Sequence, residues 1–97
     1  MRLLDELRGP KREAILRIAA RHGVTKIQVF GSVARGEELP GSDVDFLIEY
    51  GPDTPAWFPG GLIADLEDLL GRRVDVGSPQ QVHPLIRDQV MAEARPL

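Results

Sequence analysis

The sequence predicts a small layered fold of the α+β or α/β kind, and three observations carry that expectation. Apolar residues recur at helical spacing over 15–19, 62–70 and 82–91. Between these stretches stand three short runs rich in β-formers, at 26–30, 44–48 and 73–76. Glycine and proline punctuate the joins. With 97 residues the chain has the size of one domain, expected over 1–97. A chain of this length buries roughly two-thirds of its unfolded surface, enough for one modest core.

Each element has its own signal. Leu3, Leu4 and Leu7 mark a short helical turn that Gly9 stops. Pro10 suits the first position of a second helix, where its missing N–H costs nothing. Ile15, Leu16, Ile18 and Ala19 give that helix an apolar stripe, and Gly23 after His22 fits its C-cap. Lys26 to Phe30 alternates in polarity and reads as a strand ending at Gly31-Ser32. Val44-Asp45-Phe46-Leu47-Ile48 reads as a second strand. Residues 51–60 hold three prolines and two glycines, hence a loop. Leu62, Ile63, Leu66, Leu69 and Leu70 recur at helical spacing before Gly71. Arg73-Val74-Asp75-Val76 is a short third strand, and Val82, Leu85, Ile86, Val90 and Met91 mark a last helix.

Composition removes several classes of function. Hydrophobic residues make up 42% and charged ones 28%, too apolar for intrinsic disorder. Twelve basic against 15 acidic side chains leave a net charge of −3, so direct nucleic-acid binding through phosphate neutralisation is not expected. Cysteine is absent, which excludes disulfides, thiolate zinc sites and thiol nucleophiles. No apolar run approaches the roughly 18 residues of a membrane span, and acids at Asp5 and Glu6 stand where a signal peptide would be apolar. A cytoplasmic protein with no membrane partner is the expectation. The two histidines, His22 and His83, are far apart and read as surface residues beside turns.

The chemistry concentrates in Gly31-Ser32-Val33-Ala34-Arg35-Gly36 and Ser42-Asp43-Val44-Asp45. Gly31 at a strand end lets the backbone turn and a ligand approach closely. Ser32 then opens a helical turn whose N–H groups and hydroxyl suit a phosphate. Asp43 and Asp45 alternate along one strand and project from the same face, while Val44, Phe46 and Ile48 point to the core. Taken alone, an Asp-x-Asp beside a turn is most simply a solvated edge. Side by side, however, two carboxylates repel, and one has its pKa raised unless a cation lies between them. Oxygen donors without His or Cys favour Mg²⁺ or Mn²⁺ over zinc. Asp75 lies between two valines in the third strand, where acids are depleted. If the strands are neighbours, the three acids converge beside the Gly31-Ser32 turn. Such a patch is what two-metal phosphoryl or nucleotidyl transfer needs.

Gly31-Ser32, ten intervening residues, Asp43-x-Asp45 and a later Asp75 resemble the nucleotidyltransferase superfamily that includes the palm of DNA polymerase β. The fuller string resembles the minimal nucleotidyltransferases, small proteins that form the antitoxin half of HEPN–MNT toxin–antitoxin pairs. The similarity spans about 26–77. It implies a palm-like mixed sheet flanked by helices, with Gly31 and Ser32 on the nucleotide phosphates, Asp43 and Asp45 on two Mg²⁺ ions, and Asp75 on the catalytic ion and the attacking hydroxyl. Arg35 takes the family's Arg-Gly position. It could meet phosphate, or it could pair with Asp43 or Glu37.

The resemblance implies transfer of AMP from ATP to a hydroxyl, a tyrosine of a HEPN-domain toxin, within a hetero-oligomer. The alternatives are a binding-only antitoxin and a nucleotidyltransferase for small molecules. Remaining candidates are plainer. Ser42 caps the turn before its strand, and Glu37 with Glu38 reads as a solvated charge pair. Arg72 and Arg73 could reach a triphosphate, or serve the helix C-terminal carbonyls before them. Trp57 and Phe58 could stack on a base, dock a partner or pack over the core edge.

Overall fold

The computed structural model describes residues 2–79 and 81–97. Its order is α1 (Leu3–Arg8), α2 (Arg12–Arg21), β1 (Val24–Phe30), α3 (Gly31–Arg35), β2 (Val44–Tyr50), α4 (Gly60–Leu70), β3 (Val74–Gly77), α5 (Pro84–Glu93) and β4 (Arg95–Pro96). The strands form one mixed sheet in the order β3-β2-β1-β4. β1 and β2 run antiparallel, as do β1 and β4, whereas β2 and β3 run parallel with α4 between them in sequence. A parallel pair needs such a crossover, because a tight turn cannot reverse the chain twice. The α+β layered fold expected from the sequence is therefore the one observed.

Alternation assigns the sheet faces. Ile27 and Val29 of β1, Val44, Phe46 and Ile48 of β2 and Val74 of β3 are buried in one cluster. Onto them pack Leu3 and Leu7 of α1, Ile15, Ile18 and Ala19 of α2, and Leu62 and Leu66 of α4. Phe46 and Val29 are wholly inaccessible, so the core lies under the two central strands. The intervening residues, Phe30, Asp45, Leu47, Asp75 and Gly77, take the opposite face.

Several boundaries differ from the sequence expectation. Pro10 does not open α2. Lys11 and Arg12 donate backwards to Glu6 and Gly9, closing a turn first, and the helix begins at Arg12. β1 and β2 each run two residues longer than their alternation suggests, because Val24 pairs with Tyr50 beyond an irregularity at Val24–Lys26. β2 begins at Val44, leaving Asp43 just before it. The last strand, β4, carries no strand pattern at all; it is two residues that complete the edge of β1. Finally, α5 has no buried residue, and Leu85, Ile86 and Met91 of its apolar stripe are exposed.

Candidate active site

The three acids meet where the sheet register brings them. Asp45 stands opposite Asp75 on β3 and opposite Phe30 on β1. Gly31 follows Phe30 directly, with φ +75°, a backbone conformation that a Cβ disfavours. A Cβ there would lie 2.5 Å from Oδ2 of Asp45, so the missing side chain is what admits the carboxylate. Asp43 precedes β2, and the Val44 N–H donates to the Arg73 carbonyl at 2.9 Å, continuing the ladder towards it.

Electrostatics mark Asp45 as the centre of the patch. Burial pushes its pKa up; repulsion from Asp75 and then Asp43 pushes it further, and Arg35 opposes the rise. Asp43 is half-buried and forms an ion pair with the Arg73 guanidinium, whose Nε lies 3.3 Å from Oδ1. Among the described residues no three carboxylates are grouped to hold an ion as the side chains stand. The donor set nonetheless fits a hard divalent cation. It is all oxygen, it is carried on neighbouring strands, and its central carboxylate carries a charge penalty that a cation relieves.

The Gly31-Ser32 turn is α3, a five-residue helix packed against β1 and β2. It ends in a Schellman arrangement: Gly36 donates to Val33 at 3.1 Å and Glu37 to Ser32 at 2.8 Å, with Gly36 at φ +71°. Val33 and Ala34 are buried, which fixes the turn beside Asp45. Arg35 projects outward from it. Its Nε donates to Glu37 at 3.0 Å and its Nη1 to Glu93 of α5 at 3.2 Å. Glu37 foremost, and Glu93 with it, holds this guanidinium above its ordinary pKa. Of the two acids the sequence offered Arg35, the guanidinium takes Glu37, and it adds Glu93.

Other sequence-singled residues sort themselves by geometry. The Ser42 hydroxyl accepts from Leu39 N–H at 2.8 Å, capping its turn as expected. Glu37 is exposed as expected and holds Arg35, whereas Glu38 is part-buried and accepts from the Leu3 N–H. Neither arginine after α4 serves that helix. Arg72 donates to the Ser42 carbonyl at 3.4 Å and Arg73 pairs with Asp43. The Val74 N–H of edge strand β3 is satisfied instead by Glu67 of α4, at 3.0 Å. His22 is largely buried and lies 2.8 Å from Asp65, so it is an inter-helix tie and not a surface residue. His83 caps α5, accepting from Leu85 N–H. Phe58 packs on the core edge against Tyr50, ring centres 4.7 Å apart, whereas Trp57 is exposed. Glu93 and Arg73 are the site neighbours that sequence reasoning undervalued. Arg73 had a signal, since it stands just before β3, two residues from Asp75, and so continues the acid face.

A mixed sheet with two in-register acids beside a glycine-led helical turn defines a nucleotidyltransferase palm, and residues 11–97 match the nucleotidyltransferase domain family. The chain belongs to that family. Within it the chain is a minimal nucleotidyltransferase of the MntA-like kind. A solved structure of a candidate minimal nucleotidyltransferase superposes with a TM-score of 0.83 at 45% identity, covering 97% of this chain and 95% of that one. A Methanocaldococcus jannaschii protein named as a candidate protein adenylyltransferase is 39% identical over 80 residues, 82% of this chain and 86% of its own. The protein adenylyltransferase MntA of Thermococcus cleftensis is 38% identical over 74 residues, 75% of this chain and 74% of its own. A toxin–antitoxin structure with AMP-PNP shares the fold, with a TM-score of 0.71 at 19% identity over 87% of this chain and 69% of that one. The chain is accordingly a nucleotidyltransferase enzyme. No described helix is long and apolar enough to cross a membrane.

Proposed function

We propose that this enzyme transfers AMP from ATP to a tyrosine hydroxyl of a HEPN-domain toxin and so acts as its antitoxin, in the cytoplasm and as a hetero-oligomer with that partner. The observation that carries the reading is the pairing of Asp45 with Asp75 on adjacent strands, with the Asp45 carboxylate lodged against Gly31 where a side chain would stand. The relatives named as protein adenylyltransferases support the acceptor class.

Asp43, Asp45 and Asp75 would hold two Mg²⁺ ions, which when bound supply charge neutralisation for the phosphates and lower the pKa of the attacking hydroxyl. The chain's own residues do the rest. Gly31 and Ser32 seat the β- and γ-phosphates against α3. Asp75 is exposed on the edge strand β3, where an acceptor can reach it, and it takes the hydroxyl proton. The acceptor oxygen bonds to the α-phosphorus in line as the bond to the β-phosphate's bridging oxygen breaks, and pyrophosphate leaves with that electron pair.

Asp75→Asn tests the reading. It keeps the size of an exposed side chain and removes its charge, so the fold and the docking surface persist. Incubated with the toxin, ATP and Mg²⁺, the wild type adds adenylyl mass to the toxin and the variant adds none. Equal neutralisation of the toxin by both proteins, with no added mass, would establish masking by binding alone and sink the catalytic reading.

A further inference from the structure

We infer that Arg73 is a displaceable counter-ion built into the acid patch: its guanidinium holds Asp43 until a divalent cation takes that carboxylate, and the phosphates arriving with the cation then receive it. The inference rests on the proposed metal and nucleotide reading of the patch and names the side chain that governs entry to it.

The ladder puts Arg73 there. Val44 pairs with Val74 and Asp45 with Asp75, so one step back along both strands Asp43 faces Arg73. The bond from Val44 N–H to the Arg73 carbonyl pins that backbone at 2.9 Å. Arg73 shares its strand side with Asp75, as Asp43 does with Asp45, so its guanidinium belongs to the acid face. Nε lies 3.3 Å from Asp43 Oδ1.

The side chain is also free to leave. It is 84% exposed, so its departure opens no cavity and breaks no apolar contact of weight. Among the described residues no other cation is paired with these acids, and Arg35 is occupied by Glu37 and Glu93.

These facts give the site a preference. A bare cation that takes Asp43 turns Arg73 out into water and forfeits the pair. A cation bound to a triphosphate brings the guanidinium a new anion, and planar guanidinium suits phosphate well. Arg73 thus weakens the hold on the bare ion and strengthens the hold on the metal–nucleotide complex. An exposed pair of this kind alters an equilibrium by about two- to fivefold.

The test measures equilibrium binding of Mn²⁺, first alone and then with a non-hydrolysable ATP analogue, at low salt. Four proteins are compared: wild type, Arg73→Met, Arg73→Lys and Arg17→Met. The last removes an exposed base of α2 that makes no ion pair among the described residues, and so controls for net charge. Arg73→Met is expected to bind bare Mn²⁺ about two- to fivefold more tightly than wild type and the Mn²⁺–analogue complex less tightly. Arg73→Lys stays near wild type for the bare ion, and Arg17→Met matches wild type for both. Equal or weaker binding of bare Mn²⁺ by Arg73→Met, or the same shift in Arg17→Met, overturns the counter-ion while leaving the metal site intact. Absence of Mn²⁺ binding in every protein, with and without analogue, overturns the counter-ion together with the metal reading.

Discussion

Replacing Gly31 by alanine separates what this glycine does for the fold from what it does for the site. Its φ of +75° costs an L-residue about 1–2 kcal/mol. The new Cβ would also stand 2.5 Å from Oδ2 and 3.3 Å from Cγ of Asp45. That neighbour is the free end of a side chain, so it swings aside at small cost to stability but leaves its place in the acid patch. Stability therefore falls by the backbone part alone, a drop in melting temperature of roughly 4–16 °C for a domain of this size. Activity suffers separately, because misplacing a reacting group by about 1 Å costs on the order of a hundredfold. The assay is thermal unfolding without metal, with nucleotidyl transfer measured well below the transition, for Gly31→Ala, Asp45→Ala and the double variant. The backbone part persists in the Asp45→Ala background. An alanine variant with wild-type melting and wild-type transfer would refute both the φ argument and the cradle.

Three further outcomes follow from the same geometry. Asp45 has a folded-state pKa above its unfolded value, so the folded protein binds the extra proton first, and the buried charge, with repulsion from Asp75 and Asp43 added, weakens the fold above the raised pKa. Asp45→Asn is thus expected to melt higher than wild type at neutral pH without metal, the gain fading as pH falls through the raised pKa; a gain that grows on acidification would contradict this. Mg²⁺ and ATP together should raise the wild-type melting temperature, as ligands of the folded state do, and differential scanning should find that rise absent in the Asp43→Asn, Asp45→Asn double variant. His22→Ala removes a largely buried tie to Asp65 between the end of α2 and α4, and urea unfolding should register a loss of about 1–2 kcal/mol.

The acid patch was legible because period-two alternation is a local property. Val44-Asp45-Phe46 and Val74-Asp75-Val76 each put an acid on one side and apolar residues on the other, and that pattern survives folding intact. The turn at Gly31 was legible for a similar reason, since a glycine between a β-run and a small polar residue announces a change of backbone direction. In α5 the same logic misleads. Its spacing of Val82, Leu85, Ile86, Val90 and Met91 suggests a core-facing stripe, yet Leu85 is 88% exposed while Arg87, Val90 and Glu93 are the less exposed residues. Glu93 is turned inward by its pair with Arg35, a contact between residues 58 apart that no local pattern encodes.

The sequence by itself determined the identity of the three acids, the three longer strands and the core-facing residues of α1, α2 and α4, because each depends on side-chain period and chemistry within a few residues. Only the tertiary structure decided which strands are neighbours, and hence that Asp45 faces Asp75 and Asp43 faces Arg73. It alone gave β1 its partner in Arg95–Pro96, since a two-residue edge has no pattern and exists through the hydrogen bonds another strand offers. It likewise turned His22 inward and raised the Asp45 pKa. Burial and Coulomb repulsion act through space, between groups whose distance along the chain says nothing of their distance in the fold.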